Sequence, residues 1–172
     1  SVSHASDLET QRCIAYALCN LAATEHHRRA LVEEGGLVPI ISLACSEEDD
    51  DQFAAHATLR ALSADPHHRF PIVKEGALEA LALSGARCRD VRVLREVAEC
   101  ACSLALAEKN KPIIAESPLL PVLVFLASHI DAKVAAFAAG ALANLAENFR
   151  THAVIAAETR AVTRLARLVD PR

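Results

Sequence analysis

The sequence predicts an all-α protein built as a solenoid, and three observations indicate this class. Apolar residues make up 52% of the 172 residues and aromatic residues only 3%, a composition typical of helices and poor in strand-forming residues. Two separate sequence marks recur every 41 or 42 residues. Each interval holds three segments with helical patterning. Units of this size bury their apolar faces against one another, so the sequence indicates stacked layers.

The spacing of the two marks is nearly identical. The first mark is a glutamate after a short helical segment, at Glu34, Glu75, Glu116 and Glu158, with steps of 41, 41 and 42 residues. The second mark is a leucine-flanked string whose central residues are Asn20, Ala61, Ser103 and Asn144, with steps of 41, 42 and 41 residues. Both series span 124 residues, so a one-residue shift between Ser103 and Glu116 explains the whole difference. Two marks that keep step along the chain indicate a true repeat.

The first two segments of each interval are short. HHRRALVEEGG (26–36) and HHRFPIVKEGA (67–77) are the same first helix in adjacent layers, ending at a glycine that suits a left-handed cap. The doubled histidines lack further ligands, and we expect them to be solvated helix starts. GLVPIISLAC, ALEALALSGA and PLLPVLVFLAS predict second helices, and Pro39 and Pro121 stand in the first turn, where proline is tolerated.

The third segment is longer and follows an acidic or aspartate-marked turn. It reads DDDQFAAHATLRALS, RDVRVLREVAECACSLALA and IDAKVAAFAAGALANLAEN in successive layers. Its many small residues allow neighbouring layers to approach closely. The sequence then divides into a partial repeat (1–23), repeats at 24–64, 65–106 and 107–147, and a partial repeat (148–172). We expect the last part to hold a first and a second helix with a turn at Glu158-Thr159.

The strings KVAAFAAGALANLAEN, QRCIAYALCNLA and RRALVEEGGLVPIISL resemble the armadillo repeat family, and the resemblance covers nearly the whole chain. It implies a single right-handed α-solenoid of three-helix repeats, cut from a longer solenoid; two-helix HEAT-like repeats are the alternative. It also implies that the third helices line a concave groove. There, an asparagine of the ALxNLA string binds the backbone of an extended partner segment, because an amide both donates and accepts hydrogen bonds.

Only Asn20 and Asn144 match the asparagine position of the family. Residues four and eight positions earlier in each third helix share its face. The predicted groove residues are Arg12, Tyr16, Asn20, Phe53, Arg95, Glu99, Ser103 and Asn144. Phe53 belongs to the core instead if its helix is slightly rotated.

The predicted function is a non-catalytic scaffold or adaptor that binds a peptide segment of another protein. One alternative is an importin-α-like nuclear transport adaptor. That mechanism uses tryptophans at positions that are here Tyr16, Ala57, Glu99 and Gly140, and the chain contains no tryptophan. The other alternative is a structural module that packs with further repeats of its parent chain.

Several other classes are disfavoured by the residues. No GxSxG, GxGxxG or P-loop pattern is present, so we expect no enzyme, no cofactor and no metal. The net charge of −4 argues against nucleic acid as a partner. No apolar run approaches the ~20 residues that span a bilayer, so we expect no membrane insertion. The six irregularly spaced cysteines suit reduced thiols, which predicts the cytoplasm, with the nucleus as an alternative.

Overall fold

The structure, a computed structural model, describes the backbone of residues 2–169 and the side chains of residues 9, 10 and 12–160. Within this part of the chain every regular element is helical. The elements are α1 (Val2–Ala22), α2 (Glu25–Glu33), α3 (Leu37–Ala44), α4 (Asp49–Ser63), α5 (Pro66–Lys74), α6 (Ala77–Arg87), α7 (Val91–Leu104), α8 (Asn110–Ala115), α9 (Leu119–Leu126), α10 (Ala132–Ala146), a 3-10 turn (Phe149–Thr151) and α11 (His152–Val169).

The helices form three parallel rows, as the repeat predicts. The third helices α1, α4, α7 and α10 pack side by side in one row. The second helices α3, α6 and α9, followed by α11, form the row behind it. The first helices α2, α5 and α8, followed by the 3-10 turn, run along one edge. Each layer therefore contacts mainly the layer before and the layer after it, which defines an all-α solenoid.

Glycine and aspartate residues set the turns between these helices. Gly35 and Gly76 have φ values of 82° and 92°, so they adopt the left-handed conformation that ends the first helix in two successive layers. Asp90 and Asp131 precede α7 and α10, and their carboxylates accept hydrogen bonds from backbone N–H groups in the first turn. The predicted glycine caps and aspartate-marked starts are confirmed.

Side chains of the first helices also secure the corner that follows each third helix. They donate to backbone carbonyls six residues earlier, which are left without helical partners at the end of the third helix. The pairs, donor first, are Arg28 to Ala22 (2.8 Å), His68 to Leu62 (3.3 Å), Arg69 to Ser63 (2.9 Å), Asn110 to Leu104 (3.0 Å), Thr151 to Leu145 (2.6 Å) and His152 to Ala146 (2.7 Å). The expectation of solvated histidines is wrong for His68, which is buried at this corner.

The core runs without interruption through the layers, and the fully buried imidazole of His56 lies within it. Ser84 donates to the Ala44 carbonyl (3.2 Å), so Nε2 of His56 donates to the Ser84 hydroxyl oxygen (2.8 Å). Burial disfavours the imidazolium form and lowers the pKa of His56 to about 4. This network ties α4 to α6 of the next layer and to α3 of its own.

The C-terminal end departs from the prediction. The 3-10 turn is followed by a single helix, α11, which runs through Glu158 and Thr159 without a turn. Residues 149–170 contain neither glycine nor proline, so nothing in the sequence interrupts the helix there. The expected first and second helices of the last partial repeat are therefore wrong, and the assigned repeat boundaries stay a prediction. Across the described residues, no helix combines the length and apolar character needed to cross a membrane.

Candidate functional site

We call the exposed side of α1, α4, α7 and α10 the third-helix face. All eight predicted groove residues lie on these four helices, and none of them is buried. Asn20 and Arg12 are exposed, and the other six are half-buried. Some of these side chains form hydrogen bonds or ion pairs with a neighbouring layer, and others do not.

At the joint between α1 and α4, three donors converge on the carboxylate of Asp51, which is only 2% exposed. They are Arg12 Nε (3.0 Å), Tyr16 Oη (2.6 Å) and Ser46 Oγ (2.9 Å). Burial alone would raise the pKa of Asp51, but the hydrogen bonds from these three side chains outweigh it, and the pKa lies below its ordinary value. Arg12 and Tyr16 share one face of α1, as predicted.

Asp51 is a residue that the sequence analysis did not single out. It belongs to an acidic run that suits a helix N-terminus, so its charge has an ordinary explanation. Its equivalents in the next two layers are Val93 and Val134, which are both fully buried. A carboxylate at a position that is valine in the next two layers was the available signal, because a buried charge requires partners.

At the joint between α4 and α7, Glu99 faces Arg60, which pairs more closely with Glu96 (2.5 Å) than with Glu99 (3.7 Å). The Arg92 guanidinium lies 5.4 Å from the centre of the Phe53 ring, a cation–π distance. Phe53 also packs against the core, so only part of its ring remains accessible.

At the joint between α7 and α10, Arg95 donates to both oxygens of Asp131, at 3.1 and 2.6 Å. The same carboxylate accepts from the backbone N–H groups that begin α10. The bond from Arg95, followed by that from the Val134 amide, holds the pKa of Asp131 well below its usual range. Arg95 is thus fixed by the neighbouring layer.

The residues at the predicted asparagine position differ in their hydrogen bonds to the rest of the chain. Ser103 donates to the Ser63 carbonyl (2.8 Å) and Asn144 donates to the Cys102 carbonyl (3.2 Å), in each case in the preceding third helix. Asn20 is exposed, and no described residue bonds to its amide. The Asn144 amide nitrogen also donates to the Cys102 sulfur (3.7 Å), so this N–H₂ group is committed within the chain and its oxygen is left.

The positions of the tryptophans in importin-α-like proteins form no aromatic pocket here. Tyr16 is bound to Asp51, and Glu99 is charged. Gly140 leaves little space, because a Cβ atom added there would lie 3.1 Å from the Cys102 sulfur. A side chain at residue 140 would therefore displace the Cys102 sulfur.

The described residues include no cluster of three or more side chains suited to hold a metal ion. All six cysteines are free. Burial raises the pKa of Cys19, Cys45 and Cys102, and it raises that of Cys100 to about 12. These four thiols are protonated at neutral pH, which is the unreactive form.

No protein-family model matches the sequence, and no curated protein is significantly similar to it. Solved structures of other proteins are similar to the structure of this chain. An engineered protein from the Northeast Structural Genomics Consortium is 28% identical, with a TM-score of 0.77 over 88% of this chain and 38% of its own. Computationally designed armadillo repeat proteins for modular peptide recognition are 21% identical, with a TM-score of 0.76 over 91% of this chain and 66% of theirs.

A third similar structure is a designed armadillo repeat protein in complex with the peptide (KR)4. It is 19% identical, with a TM-score of 0.72 over 89% of this chain and 62% of its own. This chain thus spans at most 66% of the length of these three proteins. The rows of helices define the class, an all-α solenoid. Together with these structures, the three-helix layers identify the fold: the chain has an armadillo-like repeat fold.

Proposed function

We propose that the chain is a non-catalytic scaffold that binds an extended segment of another protein along the third-helix face. The observation that carries the proposal is the row of four parallel third helices with accessible polar side chains at equivalent positions. The similar structure solved with a peptide supports it.

The amide of Asn20 suits a peptide backbone, because it offers a donor and an acceptor that no described residue occupies. Asn144 contributes its amide oxygen, because its N–H₂ group already donates to Cys102. Four helices at 8–10 Å spacing form a face roughly 30–40 Å long. An extended peptide spans that length with about ten residues.

We infer that this protein recognises its partner mainly by the partner's backbone and shape. The cations Arg12, Arg60 and Arg95 are all paired with carboxylates of neighbouring layers, so they are not free to attract an acidic peptide. Binding should then depend only weakly on salt. A nuclear transport adaptor would instead bind Lys/Arg-rich peptides with a steep salt dependence.

The test begins with peptides selected from a random display library on the immobilised protein. We expect the Asn20→Ala, Asn144→Ala double variant to bind the selected peptides about 30-fold more weakly, since the two residues together lose hydrogen bonds worth about 2 kcal/mol. Its melting temperature should stay within about 4 °C of the parent protein. Glu79→Ala, an exposed change on α6, is the matched control and should bind normally.

Two results would contradict the proposal. Peptides that bind the double variant as tightly as the parent would place recognition away from the asparagine position. A (KR)4 peptide that binds more tightly than every selected peptide, and is released by about 0.5 M salt, at which the Debye length falls to roughly 4 Å, would favour the transport adaptor.

We also propose that the chain works as an adaptor in the cytoplasm, with the nucleus as the alternative. The six free thiols suit a reducing compartment, and the net charge of −4 disfavours nucleic acid as a partner. Imaging the tagged chain in cells tests the location.

A further inference from the structure

The edge formed by the first helices carries exposed apolar side chains that lie beside cations. We call the group formed by Phe70, Leu106, Lys109, Phe149 and Arg150 the basic-aromatic patch. Phe149 is 75% exposed, Leu106 is 50% exposed and Phe70 is 39% exposed. The Lys109 ammonium lies 5.7 Å from the centre of the Phe70 ring, and the Arg150 guanidinium lies 5.8 Å from that of Phe149. Each ring therefore presents apolar surface and a positive charge together.

The same positions are exposed in inner layers of the solenoid. The place of Phe149 is taken by Pro66 and Glu108 in the two preceding layers, and both of these residues are exposed. The place of Leu106 is taken by Ala64 in the layer before it, which is exposed as well. The exposure of the patch is therefore a property of the repeat and does not come from an end of the chain.

The cations of the patch have no carboxylate partner among the described residues. Neither Lys109 nor Arg150 forms an ion pair there, and each contacts an aromatic ring instead. The neighbouring carboxylates of Glu108 and Glu147 both accept from Nζ of Lys111, whose side chain is only 1% exposed. The patch can therefore attract anions, although the net charge of the whole chain is −4.

Two further charged side chains border the patch. Asp65 caps α5 by accepting from the backbone N–H of His67 (2.8 Å), and the positive end of the helix offsets its charge. Arg69, which precedes Phe70, donates to the carbonyls of Ser63 (2.9 Å) and Ala64 (3.4 Å) rather than to a carboxylate. The border therefore adds one more unpaired cation against one capped carboxylate.

The patch is formed by protruding side chains. Its residues line neither the groove of about 650 Å³ between α1 and α3 nor the groove of about 470 Å³ beside α5, α6, α8 and α9. A peptide is usually anchored by side chains that enter a pocket. A lipid surface instead accepts protruding apolar side chains between its headgroups, and anionic headgroups attract the cations beside them. The shape and the charge of the patch together favour a lipid surface.

We propose that the basic-aromatic patch binds the surface of a membrane that contains anionic lipids. Phe70, Leu106 and Phe149 enter the headgroup region, while Lys109 and Arg150 contact the anionic headgroups. This contact is peripheral, so it requires no helix that crosses the bilayer. It also leaves the third-helix face accessible, because the patch lies on the edge formed by the first helices.

The test mixes the 172-residue chain with phosphatidylcholine vesicles that contain about one-third phosphatidylserine, and measures the protein that sediments with them. We expect saturable binding, and binding about tenfold weaker to vesicles of phosphatidylcholine alone. The Lys109→Glu, Arg150→Glu double variant should bind the mixed vesicles about tenfold more weakly, because it repels anionic headgroups. The Leu106→Ser, Phe149→Ser double variant should lose a similar factor, because less apolar surface leaves water.

Matched controls separate this patch from general attraction to vesicles. Lys133→Glu and Ile130→Ser change an exposed cation and a 98% exposed apolar residue near the start of α10, and both variants should bind like the parent. The altered patch residues are exposed, so the two double variants should melt within about 4 °C of the parent chain.

Three results would overturn the proposal. The first is a chain that stays in solution with the mixed vesicles, and the second is equal binding by the parent and both double variants. The third uses a soluble peptide of alternating glutamate and phenylalanine. If this peptide binds the parent but not Lys109→Glu, Arg150→Glu, and the vesicles do not bind, the occupant is an acidic protein segment.

Discussion

The first third helix and the inner third helices carry equivalent residues in different surroundings. Leu21 in α1 and Leu104 in α7 occupy the same place in the repeat, yet Leu21 is half exposed and Leu104 is fully buried. Ala15 in α1 stands where α4 has His56, and both are buried, so this pair differs in the side chain rather than in its burial. The comparison teaches that the repeat sets which side of a helix is apolar, while burial depends on the presence of the adjoining helices. Energetic effects should therefore differ between equivalent positions.

The largest difference is expected for leucine truncation. Leu104→Ala should lower the free energy of unfolding by about 2–5 kcal/mol, because it removes buried methyl groups and leaves a cavity. Leu21→Ala should lower it by less than about 1 kcal/mol, because its side chain is partly in water in both states. Urea unfolding of the two variants measures both values. Equal losses would show that α1 is covered as completely as α7.

The next effect concerns pH and the histidine that only α4 carries at this position. The pKa of His56 is about 4 in the folded chain against 6.5 for the free residue, so its neutral form is favoured by folding. His56 makes its full contribution to the free energy of unfolding above pH 6.5. That contribution declines as the pH falls toward 4, because the unfolded chain binds the proton more tightly than the folded chain does. The total loss is about 3 kcal/mol at 1.36 kcal/mol per pKa unit.

Urea unfolding between about pH 7.5 and pH 4, a range that includes the pKa of His56 in both states, measures this loss. His56→Gln should flatten the decline in that interval, whatever its effect on stability at neutral pH. An Ala15→Ser variant at the equivalent place in α1 should keep the parent slope. A slope that His56→Gln leaves unchanged would assign the decline to groups other than His56.

The smallest effect is expected where α1 is secured by polar contacts. Asp51→Asn should destabilise the chain by about 1–3 kcal/mol, because the amide cannot accept from Arg12, Tyr16 and Ser46 together. The neighbouring Asp50 pairs with Arg92 in solvent, so Asp50→Asn should change stability by less than about 1 kcal/mol. Thermal unfolding of the two variants at neutral pH compares them. A larger loss for Asp50→Asn would reverse this ranking of buried and exposed charges.

Much of the fold could be predicted, because the information is local and repeated. The recurring glutamate and leucine marks gave the layers, and Gly35 and Gly76 gave the ends of the first helices. The predicted turn at Glu158-Thr159 is wrong because the glutamate mark persists there without a glycine or proline to end the helix. A periodic mark thus predicts a turn only together with the residue that makes the turn favourable.

The candidate site was less predictable, because its contacts join unlike residues of different layers. Asp51 meets Arg12 and Tyr16 across a joint, and no other layer repeats that combination. Helical spacing correctly placed Asn144 on the third helix, but it could not reveal that the Cys102 carbonyl takes one of its N–H groups. Such pairings depend on the separation of helices, which the period alone does not specify. The roles of the eight predicted residues in binding stay predictions.

The corner after each third helix accepts donors of very different character. Guanidinium, imidazole, amide and hydroxyl groups all reach a carbonyl six residues back. The direction of the chain at these corners is therefore independent of the electric charge placed there. The long edge of the molecule can change from basic to neutral between layers while the stacking geometry remains the same.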